Sequence, residues 1–284
     1  MSAEPARLSA APARRRPGPL IAGAAITVGF ILLAILSRFW TPEPPTHIRM
    51  MLRLRPPLQA GLFGTDPFGR DLLSMLMAGA WNSLSTAFLA VLLGLVLGVA
   101  LGGAAAALRG RVEEVAMRAA DLVFAFPALI SAIMLSNILG PGQATAVLAI
   151  GIFIVPVFAR IARGAALQVW ARDFCLAAQA AGKGRLRITL EHIIPNIAGT
   201  LLVQATIQLA LAILIEAGLS FLGLGLPPPA PSWGRMLSDA QTYLGSAPWL
   251  AIVPGGTIAL AVLGFNLLGD GLRDLFDPRR DARR

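Results

Sequence analysis

A chain of 284 residues in which 56% are hydrophobic and only 14% charged lies outside the range of soluble globular domains, where about a quarter of residues are charged. Its apolar residues come in blocks long enough to cross a bilayer, so a net charge of +9 is no nucleic-acid footprint until the charges are placed along the chain. The single Cys175 excludes an internal disulfide, and with His47 and His192 far apart a metal site has no support.

Residues 1–19, rich in Ala, Pro and Arg, read as a disordered tail. The apolar block Leu20–Leu36 is closed by Ser37-Arg38-Phe39-Trp40 rather than by a small-residue cleavage site. Residues 20–40 are therefore expected to be an uncleaved first transmembrane helix with an aromatic anchor. Residues 41–80 are mixed and Pro-rich and read as an extracytoplasmic segment, with Gly64-Thr65-Asp66-Pro67-Phe68-Gly69-Arg70-Asp71 inside it. Residues 81–284 form the remaining core. Its first span, Ser83–Leu108, is uncharged and carries Gly94, Gly98, Gly102 and Gly103, small residues that suit close helix packing in lipid. Arg109–Asp121 reads as a short charged loop. Leu122–Leu139 and Ala144–Ala159 read as two spans joined by the tight turn Gly140-Pro141-Gly142-Gln143, with kinks expected at Pro127 and Pro156.

Residues 171–196 are the longest polar interruption in the second half of the chain. Asp173 is a plausible N-cap, and Phe174, Ala177, Ala178 and Ala181 fall on one face of a short helix that Gly182 ends. Arg172, Lys183, Arg185 and Arg187 bracket it, Lys183 being the only lysine in the chain. From periodicity this helix either lies in lipid headgroups or receives a partner. Ile197–Leu219 is the fifth span, Leu222–Pro248 a loop too irregular to cross, Trp249–Leu268 the sixth span, and Gly269–Arg284 a basic tail. With both termini cytoplasmic, 18 of the 24 basic residues fall inside, which places 171–196 in the cytoplasm.

The motifs resemble one family, the inner-membrane permeases of binding-protein-dependent ABC importers, and within it the second (C-type) permease of dipeptide, oligopeptide and nickel systems. Its cytoplasmic loop pattern is matched by Leu176-Ala177-Ala178, Gly182 and His192-Ile193-Ile194-Pro195. Leu176, His192 and Ile194 depart from the general pattern in ways that narrow the subfamily. Gly64–Asp71, Leu219–Gly225 with Trp233-Gly234, Ala247–Leu250 and Phe265–Asp274 match the same branch in order. The resemblance implies an all-α type I importer permease of about six transmembrane helices, in a bacterial inner membrane. It implies a second homologous permease, two cytoplasmic ATPases and an extracytoplasmic binding protein as partners, membrane lipid around the chain, and no nucleic acid. It also implies uptake of peptides or a related solute such as a nickel chelate or glutathione. On that basis Asp173, Phe174, Ala177, Ala178, Ala181, Gly182 and Pro195 are expected to dock an ATPase, with the flanking cations available to acidic rims.

Glu216, inside the fifth span, either contacts a substrate cation or pairs with a neighbouring group near the outer end; the second reading is favoured. Asp66, Arg70 and Asp71 either dock the binding protein or close a turn on themselves, again with the second favoured. Gly182-Lys183-Gly184 superficially resembles a phosphate loop, but that motif needs Gly at position 177 and Ser or Thr at 184, where Ala177 and Gly184 stand. No catalytic constellation is present in the sequence, so the chain is expected to be no enzyme and to bind no cofactor, ATP and Mg2+ belonging to partner ATPases. An ion-coupled secondary transporter and a non-transporting membrane signalling subunit remain the alternatives.

Overall fold

The computed structural model describes residues 18–276; residues 1–17 of the expected tail, and 277–284, lie outside the described residues. The described chain is helical, and Thr65 with Asp71 forms an isolated bridge rather than a strand. Helix α1 (Gly18–Leu36) takes Gly18 and Pro19 out of the expected tail. Proline is tolerated in a first helical turn because the N–H it lacks has no intrahelical partner there.

Helix α2 (Leu72–Leu108) begins well before Ser83, so Leu72–Ala80 of the expected outer segment are helical. The start is set by Asp71, whose carboxylate accepts the Ser74 N–H at 2.8 Å and its hydroxyl at 2.6 Å. At 1.5 Å per residue the helix is about 55 Å long and outreaches a hydrocarbon core of about 30 Å.

The expected charged loop is a helix, α3 (Gly110–Phe124), and the expected third span, Leu122–Leu139, is broken at Pro127, where a kink was expected. α4 (Ala128–Leu139) follows after a bend of 86° at Ala125–Pro127. Proline cannot continue the ladder of α3, and it biases Phe126 away from helical geometry. α4 alone, at about 18 Å, is too short to span. What makes α3 helical despite its charges is that each of its carboxylates meets an arginine. Glu114 pairs with Arg118 one turn on, Glu113 with Arg163, and Asp121 with Arg160.

α5 (Gln143–Trp170) keeps Pro156 in its interior and runs on past Ala159. Ala162, Ala166, Val169 and Trp170 continue its buried stripe there. α6 (Asp173–Ala180) and α7 (Arg185–Ile188) follow, then a π turn at Thr189–Ile193 and α8 (Ile194–Phe221). The loop after α8 contains a short helix, α9 (Trp233–Ala240). α10 (Trp249–Phe276) extends through the first part of the expected tail. Gly269 and Gly271 let that extension lie against Thr206 and Leu20. Among the described residues five helices are long and apolar enough to cross a membrane, and the bent pair α3–α4 is a sixth candidate.

The most extensive contact is α2 against α5. A Cβ at Gly94 would stand 2.5 Å from Ile154 Cγ2, one at Gly98 2.6 Å from the Val155 carbonyl oxygen, and one at Gly102 2.2 Å from the Ala159 oxygen. Glycines four apart thus bring the two backbones together, as small residues do between helices in lipid. Gly103, expected in the same stripe, faces Thr189 instead, at an ordinary 3.4 Å.

Candidate functional site

The polar stretch 171–196 folds as α6, a turn, α7 and the π turn. Arg172 rather than Asp173 occupies the N-cap, and no side chain caps the helix. Asp173 is instead the first helical residue, where its carboxylate lies at the positive end of the helix dipole. At the other end the Lys183 N–H reaches the Ala178 carbonyl at 3.1 Å and the Gly182 N–H reaches that of Gln179 at 2.9 Å. This is a Schellman stop, and Gly182 at φ +81° supplies the left-handed residue it needs.

α6 holds to the bundle on one side through Cys175, which is fully buried. Burial pushes the Cys175 thiol pKa up, and Arg172 opposes the shift. Phe174, Ala177 and Ala181 are exposed, and Ala178 is half-buried. The predicted face is therefore open at three of its four positions. Leu176 on α6, read from the sequence only as a motif position, is exposed too, and sequence reasoning missed two further exposed leucines close behind it, Leu186 and Leu190. Leu186 and Leu190 stand four apart among arginines, a spacing that could have exposed them.

Three of the four flanking cations are already engaged. Glu191 takes Lys183 at 2.7 Å and Arg187 at 2.5 Å, and hydrogen bonds from Arg187 and then Lys183 lower its pKa to about 2. Lys183 Nζ also lies 3.2 Å from His192 Nε2, and the His192 ring meets Phe174 edge-on at 6.4 Å. Arg185 donates to the Ala107 carbonyl at the end of α2, 3.2 Å away. The stretch is thus braced onto α2 and internally cross-linked. Pro195, in the first turn of α8, has no N–H for the Glu191 carbonyl. Just before it the ladder slips, the Ile194 N–H bonding the Thr189 oxygen, and the Asn196 side chain fills the His192 carbonyl at 2.6 Å.

At the opposite end of the bundle Glu216 is 1% exposed and accepts the Ser220 hydroxyl at 2.6 Å. Beside it Trp233, fully buried, donates its indole N–H to the Leu76 carbonyl at 3.1 Å. The Trp233 backbone N–H lies 3.3 Å from Ser83 Oγ, and the ring meets Phe30 edge-on at 5.6 Å. Gly234 lies so close to α8 that a Cβ would stand 2.1 Å from the Ala217 oxygen. The segment between α1 and α2 closes on itself nearby. Asp66 Oδ1 accepts the Phe68 and Arg70 N–H groups at 2.9 and 2.8 Å, and Oδ2 accepts Arg70 Nε at 2.6 Å. Asp71, the α2 cap, is not part of that pair. Among the described residues no three His, Cys, Asp or Glu side chains converge as metal ligands.

Residues 94–282 match the family described as the binding-protein-dependent transport system inner membrane component. This chain belongs to that family. The permease is 41% identical over 259 residues to the dipeptide transport system permease protein DppC of Alkalihalophilus pseudofirmus, covering 91% of this chain and 85% of the relative. To the di/tripeptide transport system permease protein DppC of Pseudomonas aeruginosa it is 41% identical over 261 residues, covering 88% and 86%. Among solved structures, a chain of the MetNI methionine ABC transporter in inward-facing conformations superposes with a TM-score of 0.60 at 19% identity, over 72% of this chain and 97% of that one. That likeness shows the fold, that of a type I ABC importer permease. The chain is a bacterial inner-membrane permease subunit of a binding-protein-dependent ABC importer.

Proposed function

We propose that this permease forms, with a second homologous permease, the membrane pathway for uptake of di- or tripeptides or a chemically similar small solute, and that cytoplasmic ATPases drive it through α6. The observation that carries the coupling half is α6 itself. It is a short helix with a firm C-terminal stop, anchored inward by Cys175, with Phe174, Leu176, Ala177 and Ala181 turned outward. Small exposed residues around one aromatic suit a groove in a partner. α5 leads straight into α6, and α8 follows within a few residues of α7. A push on α6 would therefore reach two long helices directly. Both termini are assigned to the cytoplasm from the arginine distribution, which puts α6 on the ATPase side and the Gly64–Asp71 turn on the binding-protein side. ATP and Mg2+ belong to the ATPases. Peptide as cargo is supported by the two relatives' names and by the 41% identity to each across most of the chain.

The test is reconstitution of this chain with its second permease, the two ATPases and the binding protein in vesicles, scoring ATP-dependent uptake of a labelled dipeptide. Ala178→Trp should abolish ATPase co-purification and uptake while the chain still inserts. Unimpaired co-purification of that variant would sink the assignment of α6, and uptake without ATP would sink the importer.

A further inference from the structure

We propose that the junction of α2 and α3 is a binding site for one anionic phospholipid, its headgroup phosphate on Arg109 and Arg111 and an acyl chain in the groove beside them. The groove has a volume of about 450 Å³ and is lined by Leu101 of α2 and by Arg111, Val112, Val115, Ala116 and Ala119 of α3. All but one of those side chains are apolar, and the cation stands beside them, which is the pattern of an amphiphile.

The charges favour an anion. α3 offers three carboxylates close by, and each is already held by another arginine: Glu113 by Arg163, Glu114 by Arg118, Asp121 by Arg160. No acidic side chain among the described residues pairs with Arg109 or Arg111, and both are exposed. The backbone adds to this. The chain turns from α2 to α3 through two successive residues of positive φ, Arg109 at +52° and Gly110 at +59°. No side chain caps the amino end of α3, so its first N–H groups are open to an acceptor, and a phosphate there meets the positive end of the helix dipole.

The position favours a lipid over a free ion. Ser83–Leu108 is uncharged, so Arg109 and Arg111 are the first charges beyond a long apolar stretch, at the depth of the headgroups. Leu108, Val112 and Val115 are exposed there. A soluble phosphate would leave those apolar surfaces uncovered, whereas a phospholipid covers both parts. Basic pockets between transmembrane helices at this depth are where acidic headgroups are held.

The full-length chain in a zwitterionic detergent, examined by native mass spectrometry, should retain one phosphatidylglycerol in preference to phosphatidylcholine. Arg109→Gln with Arg111→Gln should weaken retention about 30-fold, which is about 2 kcal/mol at 1.4 kcal/mol per decade. Ala119→Phe, which fills the groove without touching the charges, should weaken it as well, and supplies a second reading should the double variant fold poorly. Arg118→Gln, whose arginine is paired with Glu114, should change nothing. Equal retention of the two lipids, or equal weakening by Arg118→Gln, would overturn the site. So would displacement of the lipid by millimolar inorganic phosphate, or its absence from the complex purified with the second permease and ATPases, which would show a protein surface in the groove. None of these measurements involves ATP or uptake, so they stand or fall separately from the transport assignment.

Discussion

Two glycines in the polar loop, Gly182 and Gly184, make opposite predictions although only one residue separates them. Neither is crowded: a Cβ at either would meet nothing within 4 Å. They differ in backbone alone, Gly182 sitting at φ +81° and Gly184 at φ −67°, which any L-residue adopts. Gly182→Ala should therefore cost about 1–2 kcal/mol, the penalty of a left-handed conformation with a Cβ, with no steric contribution. That cost falls on a helix of eight residues, a length that does not hold by itself in water, so it should appear as fraying of α6. One to two kcal/mol is a factor of roughly 5–30 in the opening equilibrium. Hydrogen exchange on Cys175–Ala181 in the purified chain should accelerate by that factor in Gly182→Ala, by clearly less in Gly182→Asn, and not at all in Gly184→Ala. ATPase binding should follow the same order. If Gly182→Ala and Gly184→Ala exchange alike, the Schellman stop does not hold α6 and the geometric argument fails.

The adjacent glycines of α2 should also separate. Gly102→Ala places a Cβ 2.2 Å from the Ala159 oxygen and should destabilise by about 1–3 kcal/mol, whereas Gly103→Ala, 3.4 Å from Thr189, should be close to neutral; thermal unfolding in detergent checks both. Trp233→Ala removes a fully buried ring and should cost about 3–5 kcal/mol by the same assay, while Trp233→Phe keeps most of the packing but leaves the Leu76 carbonyl without its indole donor and should cost less. For Glu191 the folded pKa lies below its ordinary value, so its pairs with Arg187 and Lys183 stabilise above about pH 4.5 and are lost as pH falls toward 2. Exchange protection of Thr189–Ile193, corrected for the intrinsic pH dependence of exchange, should then be flat from pH 8 to 5 and fall only below that, and a step between pH 8 and 5 would refute the role of Glu191.

How much was legible tracks how local the physics is. The end of α6 could be read in advance because the Schellman stop joins residues at most five apart, with Gly182 as its marker. The glycine stripe of α2 was visible as spacing, but which glycines touch α5 depends on where the stripe points, and spacing alone does not separate Gly103, which faces Thr189, from the three that meet α5. α3 was read as a loop because its charges mask its helical character; Arg160 and Arg163, which take up two of its carboxylates, lie about forty and fifty residues further along the chain. The depth of Trp233 was the least accessible. A Pro-rich segment reads as a surface loop, and nothing near it in sequence reveals that Leu76 and Ser83 wait for it.

The seating of Trp233 also bears on how the protein is made. Its partners on α2 precede it by 150 and 157 residues, and Phe30 on α1 comes earlier still. At a synthesis rate of about 5–20 residues per second, α1 and α2 enter the membrane roughly 8–30 s before the residue that packs between them is available. Through that interval the Ser83 oxygen lacks the Trp233 N–H and the site for the indole stays unfilled, and α8 must be in place for Gly234 to close against it. The bundle is therefore completed from its late end: a chain stopped after α8 has every partner of Trp233 but not Trp233 itself, and membrane quality control would meet it as an open assembly with a buried-type polar surface still showing.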